Sequence, residues 1–220
     1  MRKPRFIPNA ARIVPVMSAQ RPASDQPMLN LPPATRALVA ANVIVFVVML
    51  ILPDDIDDAI VDLFGFAPAR VFAGWPAVVD PFTYQFLHGG FTHIGVNMLG
   101  LVAFGAGVEQ RLGWWRLLIF YLLCGVVGAY TQFVVAPHSA EVMIGASAAI
   151  SGLFGAILRL AVFRRGLWLL VGLWLVTNVL TGVAGIGGEG EPVAWVAHIG
   201  GFATGMLLYP LFVRREFRGK

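Results

Sequence analysis

Six stretches of this 220-residue chain are almost wholly apolar: Ala37–Leu52, Ile94–Val108, Leu117–Ala136, Val142–Leu158, Leu167–Ile186 and Val193–Val213. Runs of this kind read as membrane-spanning helices. Several are shorter than the ~20 residues that a span usually needs. Short spans fit a locally thinned bilayer, or helices that begin inside a protected, watery cavity. The pattern predicts an all-α membrane protein, a bundle of six transmembrane helices.

The polar stretches divide the rest. Residues 1–35, rich in Pro, Arg, Ala and Ser, read as a disordered basic tail. They contain no early apolar segment of the signal-peptide kind. Residues 36–213 read as one membrane domain, and 214–220 as a second short basic tail. The longest connection, Pro53 to Gln85, is acidic at first and then semi-apolar ("FGFAPARVFAGWPAVV"). That density of Phe, Trp and Pro suggests a segment lying at the outer interface. The last outer connection, "GVAGIGGEGEP", is Gly-rich and reads as mobile. No internal repeat suggests a transporter built from paired halves.

Composition supports a membrane setting. Hydrophobic residues make up 58% and charged residues 13%, against about 25% charged in soluble domains. Mean hydropathy is +0.76. Charge then gives the orientation. With the N-terminus cytoplasmic and six spans, 15 of the 16 Lys and Arg residues fall inside, all but Arg70. Asp54, Asp55, Asp57, Asp58, Asp62, Asp80, Glu141, Glu189 and Glu191 all fall outside. One count therefore supports both six spans and an N-in/C-in topology. The net charge of +4 follows from this topology, so no nucleic-acid partner is expected, and the basic ends should touch anionic headgroups. Cys124 is the only cysteine, which rules out an intrachain disulfide.

Polar groups at membrane depth are functional candidates. The first cluster is "FLHGGFTHIGVNMLG", with His88, His93 and Asn97. His93 and Asn97, four apart, share a helix face and can both donate hydrogen bonds. By themselves, these histidines could equally sit at the interface and satisfy loop carbonyls. As metal ligands they are weak, being five apart with no carboxylate or Cys nearby. The second cluster is "GASA", with Ser147. By itself it reads as helix packing or a bond to a backbone carbonyl; Gly152 and Gly155 extend the small-residue face. The third is "WVAHIGGFATG", in which His198 stands just above a Gly201–Gly205 step.

Topology brings the second and third together. Ser147 and His198 each lie about five residues below the outer ends expected for their helices, so their depths match. Close approach of two smooth faces would put Ser147 Oγ within reach of His198, a nucleophile–base pair for acyl transfer. His88, His93 and Asn97 enter at similar depth and could supply donors to an oxyanion, beside the Ser147 N–H. No HExxH is present for zinc, and no Asp falls inside the six runs.

Taken together, these motifs resemble the rhomboid family of intramembrane serine proteases, over roughly residues 37–213. "HGGFTHIGVN" is similar to its His-x4-His-x3-Asn element, "GASA" to its Gly-x-Ser-x element, and "AHIGGFATG" to its His-x-x-Gly-x-x-x-Gly element. "GVEQRLG" is similar to its Glu-x-Arg turn. The resemblance implies a rhomboid-like bundle and a Ser–His dyad without an acidic third member. Ser147 would be the nucleophile and His198 the general base. His93 and Asn97 would stabilise the oxyanion, and His88 would organise the site. No metal or cofactor is implied. The substrates would be single-span membrane proteins, cut near the outer face from a water-filled cavity. The fifth span and the Gly187–Pro192 loop would act as gate and cap. The expected location is a cell membrane, the inner membrane of a bacterium, crossed several times.

Three positions depart from the family pattern. Ala148 stands where a Gly usually follows the nucleophile, which keeps the backbone N–H and a small side chain. Ser151 replaces an aromatic that often backs the histidine ring, so His198 must be held differently. Val79-Asp80 occupies the place of a Trp-Arg pair. Glu109 and Arg111 read as structural, an ion pair with helix-end and loop partners. Two other functions remain open: a non-catalytic relative that binds transmembrane segments, and a small transporter or channel. No buried charge lines a path for the latter.

Overall fold

In a computed structural model of the protein, the described residues are 31–74, 76–161, 169, 171–176, 178, 195–214 and 216. Their helices follow in the order α1 (Pro33–Leu50), α2 (Asp54–Phe64), a 3-10 turn (Pro68–Arg70), α3 (Pro76–Thr83), a second 3-10 turn (Tyr84–Phe86), α4 (Phe91–Leu112), α5 (Trp114–Val135), α6 (Ser147–Ala161) and α7 (Trp195–Phe212). Residues 169, 171–176 and 178, inside the expected fifth span, are also helical. The Gly187–Pro192 loop lies outside the described residues, as do 1–30.

Local chemistry sets the ends of these helices. Proline at the first position of α1 costs no hydrogen bond there. Asp54, Asp55 and Asp57 fill the first turn of α2, where carboxylates meet the positive end of the helix dipole. Between α4 and α5 the chain reverses at Gly113 alone, with φ +84°, a value that side chains rarely adopt.

Among the described residues, four helices, α1, α4, α5 and α7, are long and apolar enough to cross a membrane. Their exposed sides are oily: Ile44 on α1 is 61% exposed and Leu207 on α7 is 74% exposed. In water such faces would be a liability; facing lipid they cost nothing. The shorter α6 has 15 residues, roughly 22 Å of rise against a hydrocarbon core of about 30 Å. It is the inner helix, lined by Ala149, Leu153 and Ala156, each 0% exposed.

Two expectations change. The run Val142–Leu158 is not helical from its start: α6 begins at Ser147. Phe66 and Met143 pair as an isolated antiparallel bridge, with Phe66 N donating to Met143 O (3.0 Å) and Met143 N to Phe66 O (2.8 Å). Gly145 N donates to the Tyr84 carbonyl (2.9 Å). These pins keep 142–146 out of the helix despite their apolar composition, with a bend at Gly145. The Pro53–Gln85 connection is a series of short helices. Within it Arg70 pairs with the buried Asp80 (3.7 Å) and donates to the Gly65 carbonyl (2.6 Å). Finally, α1 takes in residues 33–35, which the sequence assigns to the tail.

Those residues are held by Glu109. Its carboxylate accepts from Ala34 N (2.9 Å), Thr35 N (2.7 Å) and Thr35 Oγ1 (2.7 Å). A buried carboxylate thus satisfies N–H groups that the first turn of α1 leaves open. The helix-end partner expected of Glu109 is the start of α1.

The Gly201–Gly205 step does what its spacing implies. A Cβ at Gly201 would collide with the Ala148 carbonyl, and one at Gly205 with the Gly152 carbonyl. At Gly155 it would collide with the Phe202 carbonyl. The backbones of α6 and α7 therefore touch directly, as small residues allow in membranes.

Candidate active site

Ser147 is the first residue of α6, and Ile150 N closes the first helical bond onto Ala146 O (3.0 Å). The N–H groups of Ser147, Ala148 and Ala149 therefore lie in the turn that has no intrahelical acceptor. Two pins aim the serine, the Phe66–Met143 bridge and the Tyr84–Gly145 hydrogen bond. Tyr84 is itself fixed by its hydroxyl, which donates to the Gly125 carbonyl of α5 (2.7 Å).

His198 is the fourth residue of α7. The glycine seam sets α7 against α6 at this level, and His198 Nε2 lies 2.7 Å from Ser147 Oγ. Both residues are half-buried. Ser147 stands in the first turn of its helix, since α6 starts five residues later than the apolar run does.

Gly145 explains the glycine two residues before the serine. Its φ is +114°. A Cβ there would sit 2.6 Å from His93 Nε2. The missing side chain thus serves the backbone turn and lets the His93 ring approach the loop beside Ser147. Asn97, four residues on, donates from Nδ2 to the His93 carbonyl (3.0 Å), using one of its two amide hydrogens. His88 precedes α4 and is 3% exposed. Its ring meets that of His93 edge-on, with centroids 5.0 Å apart. Burial first, then the neighbouring His93, push the His88 pKa down to about 4, partly offset by the Phe86 backbone. At neutral pH it is an uncharged ring. It lines an open cavity of about 320 Å³ together with Phe46, Met49, Asp57, Val61 and Phe91.

Ala148 is accommodated by Gly128 of α5. A Cβ at Gly128 would come within 2.8 Å of the Ala148 methyl. Ser151 is buried on α6, and the ring of His198 is held by a residue that the sequence reading did not single out. Asn178 Oδ1 lies 2.5 Å from His198 Nδ1. The signal was available, as Asn178 is an amide inside the apolar run Leu167–Ile186.

A family model described as the Rhomboid domain matches residues 76–215, a stretch that contains His88, His93, Asn97, Ser147 and His198. The chain belongs to the rhomboid family. It is 33% identical over 135 residues to "RHOMBOID-like protein 4" of Arabidopsis thaliana, covering 60% of this chain and 34% of that protein. It is 31% identical over 144 residues to "Putative rhomboid protease YdcA" of Bacillus subtilis (strain 168), covering 66% of this chain and 70% of that protein. It is 33% identical to "Rhomboid protease GluP" of the same organism over 54% of this chain and 23% of that protein. The chain thus spans about a third of the plant relative's length. A rhomboid chain with these apolar helices is a multi-pass helical membrane protein.

Proposed function

We propose that the protein is a serine-type intramembrane endopeptidase that cleaves the transmembrane segments of other membrane proteins near the outer face. The observation that carries the proposal is the 2.7 Å contact between Ser147 Oγ and His198 Nε2, at the open start of a helix and inside the family match.

In this reading, Ser147 Oγ attacks the scissile carbonyl carbon as its proton passes to His198 Nε2. Negative charge moves to the carbonyl oxygen. The N–H groups at the start of α6 are well disposed to receive it, with His93 and the second amide hydrogen of Asn97 as further donors. The C–N bond then breaks, and the proton on Nε2 leaves with the amine. Water repeats the sequence on the acyl-serine and restores both side chains. His88 supports the site through its packing on His93.

The same proposal includes six crossings, with the N- and C-termini on the cytoplasmic side, as the distribution of Lys and Arg favours. It takes residues 36–213 as the membrane domain and 1–35 and 214–220 as basic flanks against anionic lipid. The fifth span and Gly187–Pro192 are its proposed gate and cap, and a bacterial inner membrane its proposed location.

A fluorophosphonate probe tests the nucleophile in detergent. Labelling should map to Ser147 by mass spectrometry, disappear in Ser147→Ala, and slow by at least about 10³-fold in His198→Ala. Undiminished labelling of His198→Ala would remove the general base from the mechanism.

A further inference from the structure

The hydrogen bonds around Asn178 select one protonation pattern for His198. Asn178 is buried, and its Nδ2 donates to the Trp174 carbonyl one turn earlier (2.8 Å). That bond decides which way the amide points, because a carbonyl can only accept. With Nδ2 committed to Trp174, Oδ1 is the atom facing His198 Nδ1, at 2.5 Å. An oxygen acceptor at that distance requires a hydrogen on Nδ1; two facing lone pairs would repel. In the neutral ring the other nitrogen, Nε2, is then the bare one. It is Nε2 that meets the Ser147 hydroxyl at 2.7 Å. A base must have its lone pair there, so the tautomer selected by Asn178 is the one able to take the serine proton.

The position of Asn178 is itself anchored. The Trp174 ring stacks on Phe202 of α7 (centroids 4.7 Å apart, planes 26° apart) and packs at a tilt on Phe154 of α6 (5.8 Å). The helical turn that carries Asn178 therefore rests on the two helices that carry the serine and the histidine. When Nε2 gains a proton, the Nδ1–H to Oδ1 bond becomes charge-assisted and stronger. A neutral amide can do this at membrane depth without the desolvation cost of a buried carboxylate. That provides what the departure at Ser151 calls for, a group that holds His198 in place of a stacked aromatic.

We propose that Asn178 is a positioning residue that keeps His198 in its Nδ1–H tautomer, with Nε2 open to the Ser147 hydroxyl. The functional consequence rests on the protease reading above; the tautomer itself does not. The test is 15N NMR of the full-length chain labelled at histidine, in detergent at neutral pH, with His198→Gln to assign the signal. His198 should carry its proton on Nδ1 in the parent. It should shift toward Nε2–H in Asn178→Leu and return to Nδ1–H in Asn178→Asp, which keeps the acceptor. In cleavage kinetics, Asn178→Leu should lower kcat about 10- to 100-fold with KM within about twofold, and Asn178→Asp should recover kcat.

A parent ring protonated on Nε2 overturns the proposal without any variant having to fold. A folded Asn178→Leu protein with the parental tautomer, or with parental kcat, overturns it too. Ser147→Ala separates the two ideas. If it still cleaves, the protease reading fails, while the tautomer measured in the same chain is unaffected by that failure.

Discussion

A side chain at position 145 would face two obstacles at once. The backbone there has φ +114°, and the space where a Cβ would stand is filled by the His93 ring. Gly145→Ala should therefore lower stability by about 1–3 kcal/mol and displace His93 from the loop that leads into Ser147. Displacements of that size near reacting groups cost up to about 10²-fold in rate. We expect the rate of fluorophosphonate labelling at Ser147 to fall about 10- to 100-fold in folded protein, read by time-resolved labelling beside a thermal melt. A parental labelling rate would show that the His93–Gly145 contact is incidental. At this scale the sequence pointed to the contact between Ser147 and His198, because each stands in a short motif whose spacing carries meaning. It was less informative about Asn178. The partner of Asn178 lies 20 residues away on another helix, and a lone amide in an apolar run has no spacing to reveal it.

Among the elements, the first turn of α1 is held to α4 by a single carboxylate. Glu109 accepts three hydrogen bonds from Ala34 and Thr35, and Thr35 lies against Gly105 of α4, where a Cβ would stand 3.1 Å from the threonine methyl. Glu109→Ala should lower stability by about 3 kcal/mol, since bonds to a charged group contribute about 1.5–3 kcal/mol each and are not additive. The loss should appear as a lower thermal midpoint in detergent. Glu109 stands 16 residues along α4 from His93, roughly 24 Å of helical rise, so labelling of Ser147 in the folded fraction should change less than twofold. An unchanged melting midpoint would mean that α1 is held by other contacts. The helices themselves were legible from apolar runs, and the close contact of α6 with α7 from the Gly201–Gly205 step. The start of α6 was not, because hydrophobicity cannot distinguish a non-helical segment pinned by Phe66 and Tyr84 from one more turn of helix. The helices of the Pro53–Gln85 connection were hidden by their mixed composition. Packing onto α5 and the 139–145 segment, through bonds such as Ala69 N to Ser139 O (2.9 Å), supports them.

For the whole molecule, the charge pattern and the chemistry make the same demand. The proposed hydrolysis needs water at a serine inside a membrane protein. Ser147 and His198 stand toward the N-terminal ends of α6 and α7, the ends that the proposed topology places toward the outer side. In a Cys124→Ser background, a membrane-impermeant maleimide applied to intact cells should label Asp55→Cys. It should reach Arg116→Cys only after permeabilisation. The opposite pattern would invert the topology and put the serine at the cytoplasmic face.

The most direct measurement is a cleavage assay in proteoliposomes, with the purified chain, a tagged single-span substrate, and Ser147→Ala prepared in parallel. The substrate should be cut within its transmembrane segment, near the outer end, by the parent protein and not by Ser147→Ala. Cleavage that survives in Ser147→Ala, or a substrate left intact by a parent protein that is folded and membrane-inserted, would contradict the account.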